Sequence, residues 1–350
     1  MNSNLRERTF ARLARSVNGL PSDHHAVFHY YTYPFYQKVT GGDLKEYYHN
    51  PKLMMETQLS VIEMLDGCGS LQPDVGSVAE SSSLGGPVRF DPNGFISVHE
   101  IGIESQEDLA GMKPGDPEAG SYMRTALDAL QYMLENAPSG VKVNPPICMG
   151  PFTIGAQLRG ISDFCLDTLE DPDFVSALLE LTTETCINYI AAAERLFRAP
   201  LHHVMICDDI SSFMSEPAFR TWVMPTYASI MKRFPKTQFW LHNDAKASHL
   251  AQAISESGFV GWQYAPSIPT QELVEKTQGR LSLFGGLNPV EFQSLTPEQV
   301  YAASMDKLRS FRGNTRCVLG VGGSVNQIPV ANLLAMLHAA DDYEIPAEDR

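Results

Sequence analysis

The sequence predicts an α/β fold: a (β/α)8 TIM barrel with an N-terminal helical extension, forming one domain over residues 1–350. Three observations lead there. From about residue 120, short β-rich runs alternate with longer helical stretches, the pattern of a parallel sheet with crossover helices. Two more β-rich runs upstream bring the count to eight. No GxGxxG follows the first run, as a dinucleotide-binding doubly wound sheet requires, and GVGGS at 320–324 lies too near the C-terminus to open one.

Taken in order, MNSNLRERTFARLARSVNGL has the Arg and apolar spacing of a short amphipathic helix and lacks the apolar core of a secretory signal. HAVFHYYTYPF (25–35) reads as the first strand and GSLQPDVG (69–76) as the second. Residues 77–118, with SSSLGGPVRFDPNG and MKPGDPEAG, read as a long irregular loop of the kind that is functional or inserted. The remaining runs are VKVNPPICMGPFT (141–153), HHVMICDD (202–209), TQFWLHND (237–244), GFVGWQYA (258–265), RLSLFGGLNP (280–289) and RCVLGVGG (316–323). Helical patterns at 173–197 and 245–257 fall between them.

The formal charge of −15, from 41 acidic and 26 basic residues, argues against a general nucleic-acid binder. No apolar run approaches the ~18 residues of a membrane span. The six cysteines are scattered without a CxxC pair, so reduced thiols and a cytoplasmic protein are expected. A homodimer is the default expectation for such an enzyme.

Chemistry in a barrel sits at the C-terminal ends of its strands. His242 and Asp244 are two apart and share one side of a strand. They suit a shared divalent metal or a proton-transfer pair. The competing reading is a helix cap by Asn243 or Asp244. Asp208 and Asp209 alternate in direction, so only one should face the centre as a functional group; the competing reading is that one caps the next segment while the other binds a backbone amide. Asp74 ends the second run as a catalytic candidate or a turn residue, and Glu80 follows in the loop. His29, Tyr33, Tyr264 and Asn288 also stand at strand ends, as candidates for binding a small-molecule substrate. Tyr30, Tyr31, Tyr33 and Phe35 either line the mouth or pack the barrel. His202 and His203 open a strand at the opposite end, and Cys148, Cys207 and Cys317 read as packed thiols.

Several segments together resemble the uroporphyrinogen decarboxylase superfamily. They are GPFTIGAQLRG (150–160) with the helix after it, ICDDISSFMSEPAFRTWVMP (206–225), FWLHNDA (239–245), LFGGLNPVEFQSLTPEQV (283–300) and VLGVGGSVNQIPVANLLAML (318–337). The resemblance implies a (β/α)8 barrel and two kinds of enzyme, a cofactor-free decarboxylase and corrinoid-linked methyltransferases. The decarboxylase pattern has arginines after the first strand, whereas this chain has none between Ala26 and Gly42. That pattern also has a histidine in the last glycine turn, where Gly322 and Gly323 stand here. The thiol-activating methyltransferases carry His-x-Cys on the fifth strand and a Cys in the last turn, around zinc. Here the positions read His242, Asp244 and glycine, a harder donor set.

The resemblance therefore implies a methyltransferase-like enzyme of the corrinoid-linked branch, acting on a small, methoxylated or aromatic substrate. Zn2+ would be held by His242, Asp244 and a third group from Glu80, Asp208 or Asp209. Methylcobalamin would come on a separate corrinoid protein, because the chain has no DxHxxG motif. The alternatives are a cofactor-free decarboxylase or lyase using Asp74 and His242 in proton transfer, and an inactive ligand-binding barrel.

Overall fold

The computed structural model describes residues 3–29, 31, 33–91, 95–98, 102–323 and 325–349. Its strands are β1 (Val27–Phe28), β2 (Val88–Phe90), β3 (Ile96–Val98), β4 (Cys148–Met149), β5 (His203–Cys207), β6 (Gln238–Asn243), β7 (Gly261–Tyr264), β8 (Ser282–Leu287) and β9 (Cys317–Val321). Seven of them form one parallel sheet in the order β1-β9-β8-β7-β6-β5-β4. Each of the six downstream runs thus contributes a strand, and all pair in parallel as expected. The helical pattern at 173–197 is the helix Pro172–Phe197, started by the Asp171 side chain accepting from Phe174 N–H. That at 245–257 shortens to a 3-10 turn, Ser248–Leu250, and the helix Ala251–Glu256.

The two upstream runs depart from expectation. In the first, the described residues give a two-residue strand, Val27–Phe28, and an isolated parallel bridge at Tyr31, and a helix begins at Tyr33 with Pro34 in its first turn, where proline fits best. The run 69–76 forms no strand. Its backbone bridge to the stretch that leads into β4 is at Leu71, whose N–H donates to Lys142 O (2.8 Å) and whose carbonyl accepts from Asn144 N–H (2.7 Å). Pro73 has no N–H to continue that ladder, and Asp74 then turns the chain by accepting from Gly76 N–H.

On its other side, this segment pairs with no strand among the described residues. Gln58, in the helix Pro51–Met64, does the pairing instead. Its amide oxygen accepts from Gln72 N–H (2.9 Å) and its amide nitrogen donates to Gln72 O (2.7 Å). One side chain therefore satisfies both backbone groups that a neighbouring strand would take. The irregular stretch 77–118 holds the helix Ala79–Ser83 and an antiparallel hairpin of β2 and β3.

Within the barrel, one half is filled by a layer of rings. Phe28, Trp240 and Phe284 lie 5.1 to 5.8 Å apart between centroids. Gly261 must be glycine in this layer, because a Cβ there would lie 2.6 Å from the Phe284 ring. The helix Ser3–Val17 closes the N-terminal end. It accepts from Ser282 Oγ through Ser16 O, and its Arg8 and Arg12 pair with Asp341 of the helix Val330–Asp342 at 2.7 and 2.9 Å. Among the described residues, no helix is long and apolar enough to cross a membrane.

Replacing Gln58 by leucine keeps the volume but orphans the N–H and carbonyl of Gln72. Chemical unfolding of Gln58→Leu is expected to show a loss of roughly 2–4 kcal/mol. A loss within error would mean that this seam does not depend on the amide.

Candidate metal centre

The parallel register sets three side chains at one level, since Cys207 pairs with His242 and His242 with Gln263. Alternation along β6 puts Trp240 and His242 on the same face, one pleat apart. His242 thus stands above the ring layer, at the C-terminal mouth, and is 7% exposed.

Gln263 decides how the imidazole is used. Its amide nitrogen donates to Val321 O (3.1 Å) and Gly323 O (2.6 Å). Its amide oxygen must then face His242 Nδ1, 2.8 Å away, and an amide oxygen only accepts. Nδ1 therefore carries the proton, and Nε2 faces the carboxylates of Asp209 (3.8 Å) and Asp244 (4.0 Å). Ligand atoms of Asp209, His242 and Asp244 all lie within 4.8 Å of one another. The two separations exceed a hydrogen bond, and atoms sharing a tetrahedral ion at ~2.0–2.2 Å would stand about 3.4 Å apart. Nitrogen and carboxylate oxygen are suitable zinc ligands, so the donor set fits a divalent ion.

Asp208 and Asp209 divide as alternation predicts. Asp208 is fully buried and accepts from Thr153 N–H (2.8 Å), Thr153 Oγ1 (2.7 Å) and Tyr227 Oη (2.8 Å). It thereby ties β5 to the first turn of the helix Pro151–Arg159, where a carboxylate suits the helix dipole. Burial pushes its carboxyl up to about 6, against the pull of those hydrogen bonds. Asp209 turns to the mouth and accepts from Asp244 N–H (3.0 Å). Its carboxyl is held above the usual range, by burial first and then by the charge of Asp244, with His242 acting in the opposite sense. Asn243 takes the local turn role, accepting from Ala245 N–H and donating to Asp208 O, so Asp244 caps no helix.

The other expected site residues lie elsewhere. Glu80 is buried behind β4, accepting from Met149 N–H (2.8 Å) near Cys148, and Asp209 rather than Glu80 joins His242 and Asp244. Burial lifts its carboxyl to about 7, although hydrogen bonds from its own backbone, Met149 and Cys148 pull it down. Asp74 accepts from Gly76 N–H in its turn and is not one of the three gathered groups. Tyr264 points out of the barrel because Gly261 and Gln263 take the inward positions, and its hydroxyl meets that of Thr270. Asn288 caps the helix Pro289–Phe292, accepting from Val290 N–H. His29 is deeply enclosed in the barrel, and burial lowers its imidazole to about 4. Phe35 is fully buried and stacks on Tyr31 at 5.1 Å, which is barrel packing. Tyr30 and the Tyr33 side chain lie outside the described residues. His203 stacks on Trp240 at 4.6 Å, and Cys148, Cys207 and Cys317 are buried thiols.

Gln263 is the residue whose role the sequence left unassigned. It stood visibly at a strand end, but a neutral amide carries no titration signal, and its role depends on register with His242.

A parallel α/β barrel with an imidazole and two carboxylates gathered at its C-terminal mouth defines a metal-capable barrel protein. Residues 11–343 match the family described as uroporphyrinogen decarboxylase (URO-D), and the chain belongs to that family. A solved structure described as a methyltransferase from Methanosarcina mazei superposes with a TM-score of 0.82 at 19% identity, over 97% of this chain and 98% of that one. A curated relative from the same organism, named methylated-thiol–coenzyme M methyltransferase, is 24% identical over 208 residues, 58% of this chain. The match spans about half of that relative's length (54%).

The buried carboxyl of Glu80 makes stability depend on pH. Between about 4.5 and 7 the unfolded chain has released the Glu80 proton while the folded chain retains it. The folded state then binds more protons, so stability falls as pH rises through this window. Glu80→Gln keeps the acceptor for Met149 N–H and removes the titration. Its stability relative to wild type is expected to rise from pH 5 to pH 8, by on the order of 3 kcal/mol at most. Unfolding curves at both pH values check this, and a pH-independent difference would contradict it.

Proposed function

We propose that this chain is a methyltransferase of the corrinoid-linked branch of its family, with Asp209, His242 and Asp244 holding a divalent metal, zinc in the first instance. The observation that carries the reading is the fixed tautomer of His242, with Nδ1–H donated to Gln263 and Nε2 turned toward two carboxylates. Zinc-binding histidines are oriented by such a second hydrogen bond. The names of the two methanogen relatives supply the reaction class.

A divalent ion in this N/O set would polarise an ether or hydroxyl oxygen of the substrate, which suits a methoxylated small molecule. The residues of the chain do the positioning. Gln263 holds the imidazole, Asp244 N–H holds the Asp209 carboxylate, and Asp208 locks β5 beneath both. Gly323 leaves the remaining side open, because a Cβ there would lie 2.7 Å from Asp244 Oδ2. Its φ of +103° also favours glycine. The substrate oxygen would approach through that gap. The methyl group would pass to or from cobalt on a separate corrinoid protein.

The chain purified without chelators is expected to hold about one zinc ion, lost in Asp209→Ala, His242→Ala and Asp244→Ala. Gln263→Leu should keep the ligands but weaken binding ~10–100-fold. Loss of absorbance by methylcobalamin in the presence of acceptor tests the transfer itself. Absence of stoichiometric metal in wild type would overturn the metal assignment, and unchanged absorbance with a range of acceptors would overturn the methyl-transfer reading.

A further inference from the structure

Barrel lumens are normally packed solid by layers of side chains. Here the ring layer of Phe28, Trp240 and Phe284 fills one half only. Beside it lies a cavity of about 460 Å3, bounded by Met205, Trp240, the segment 69–74 and the N-terminal helix. It lies where residues 69–76 form no strand. That volume is in the range of small-molecule sites. Asp209, His242 and Asp244 are not among its lining residues.

The walls are largely apolar and aromatic, and Lys142 and Asp74 are the charged side chains among the lining residues. Lys142 Nζ sits 4.0 Å over the Phe10 ring, and Asp74 accepts from Gly76 N–H. Burial keeps the lining imidazoles of His29 and His203 neutral at physiological pH. Lining residues also hold buried polar atoms with no hydrogen-bond partner among the described residues: both ring nitrogens of His29, Tyr31 Oη, Gln238 Oε1 and Trp240 Nε1. Buried polar groups in folded proteins are normally partnered. Trp240 Nε1 can only donate, so its partner must carry an acceptor. Ala14 and His202 line the cavity and are exposed, so it reaches the surface at the N-terminal end of the barrel.

We propose that this cavity is a second small-molecule site, taking an uncharged, flat, oxygen-bearing aromatic molecule through the N-terminal end of the barrel. Neutral polar atoms and aromatic faces recognise such a molecule, and the Asp74 carboxylate on the wall opposes an anion. The site is independent of the methyl-transfer reading, because its ligand need not reach the triad.

The probe is 2-methoxyphenol, titrated calorimetrically against its anionic counterpart 2-methoxybenzoate. Wild type and His242→Ala are expected to bind 2-methoxyphenol with equal affinity, and 2-methoxybenzoate at least tenfold more weakly. Met205→Trp fills the lumen and should weaken binding at least tenfold. Ala14→Trp blocks the exposed neck without touching the core and should do the same, which keeps the test valid if Met205→Trp fails to fold. No saturable binding to wild type overturns the proposal. So does binding that survives Ala14→Trp but is lost in His242→Ala, or equal affinity for the two probes. None of these measurements needs metal or corrinoid, so their failure is separate from failure of the methyl-transfer reading.

Discussion

The side-chain amide of Gln263 is the constraint on which the mouth of the barrel depends. It joins three strands, taking the Nδ1 proton of His242 on β6 while donating to carbonyls at and beyond the end of β9. An amide has one donor end and one acceptor end, and both carbonyls demand the donor end. The orientation of the imidazole follows from hydrogen-bond polarity alone. With Nε2 turned outward, the imidazole and two neighbouring carboxylates gather their ligand-capable atoms within 4.8 Å of one another.

The paired aspartates show how one strand end serves structure and chemistry together. Asp208 turns its carboxylate into the protein, onto Thr153 and Tyr227. Gly150 keeps its identity for the same reason, since a Cβ there would fall 2.2 Å from the Asp208 carboxyl carbon. Asp209, one residue later, is thereby presented from a rigid base. Preorganisation of this kind is what lets a site hold its geometry before anything binds.

The barrel class was legible because six runs alternate with helices and each became a parallel strand. The i, i+2 spacing of His242 and Asp244 was also legible, as was the opposed direction of Asp208 and Asp209. The rest depended on register and depth. Glu80 and Asp209 look alike as third ligands in the sequence, and only packing sends Glu80 behind β4. Tyr264 and Gln263 share a strand end, but the inward set is fixed by Gly261 against Phe284. The segment 69–76 reads as a strand because its breaker, Pro73, lies near its end, whereas the group that replaces its partner, Gln58, is a helical side chain.

Gly323 also constrains what can stand beside Asp244. A side chain at 323 and the carboxylate of Asp244 compete for one volume, and the left-handed backbone there resists any side chain. A cysteine at 323 would crowd Asp244 Oδ2 and sit on a backbone that favours glycine. The two positions are therefore coupled, and a side chain at 323 requires a shifted Asp244 carboxylate and a strained backbone.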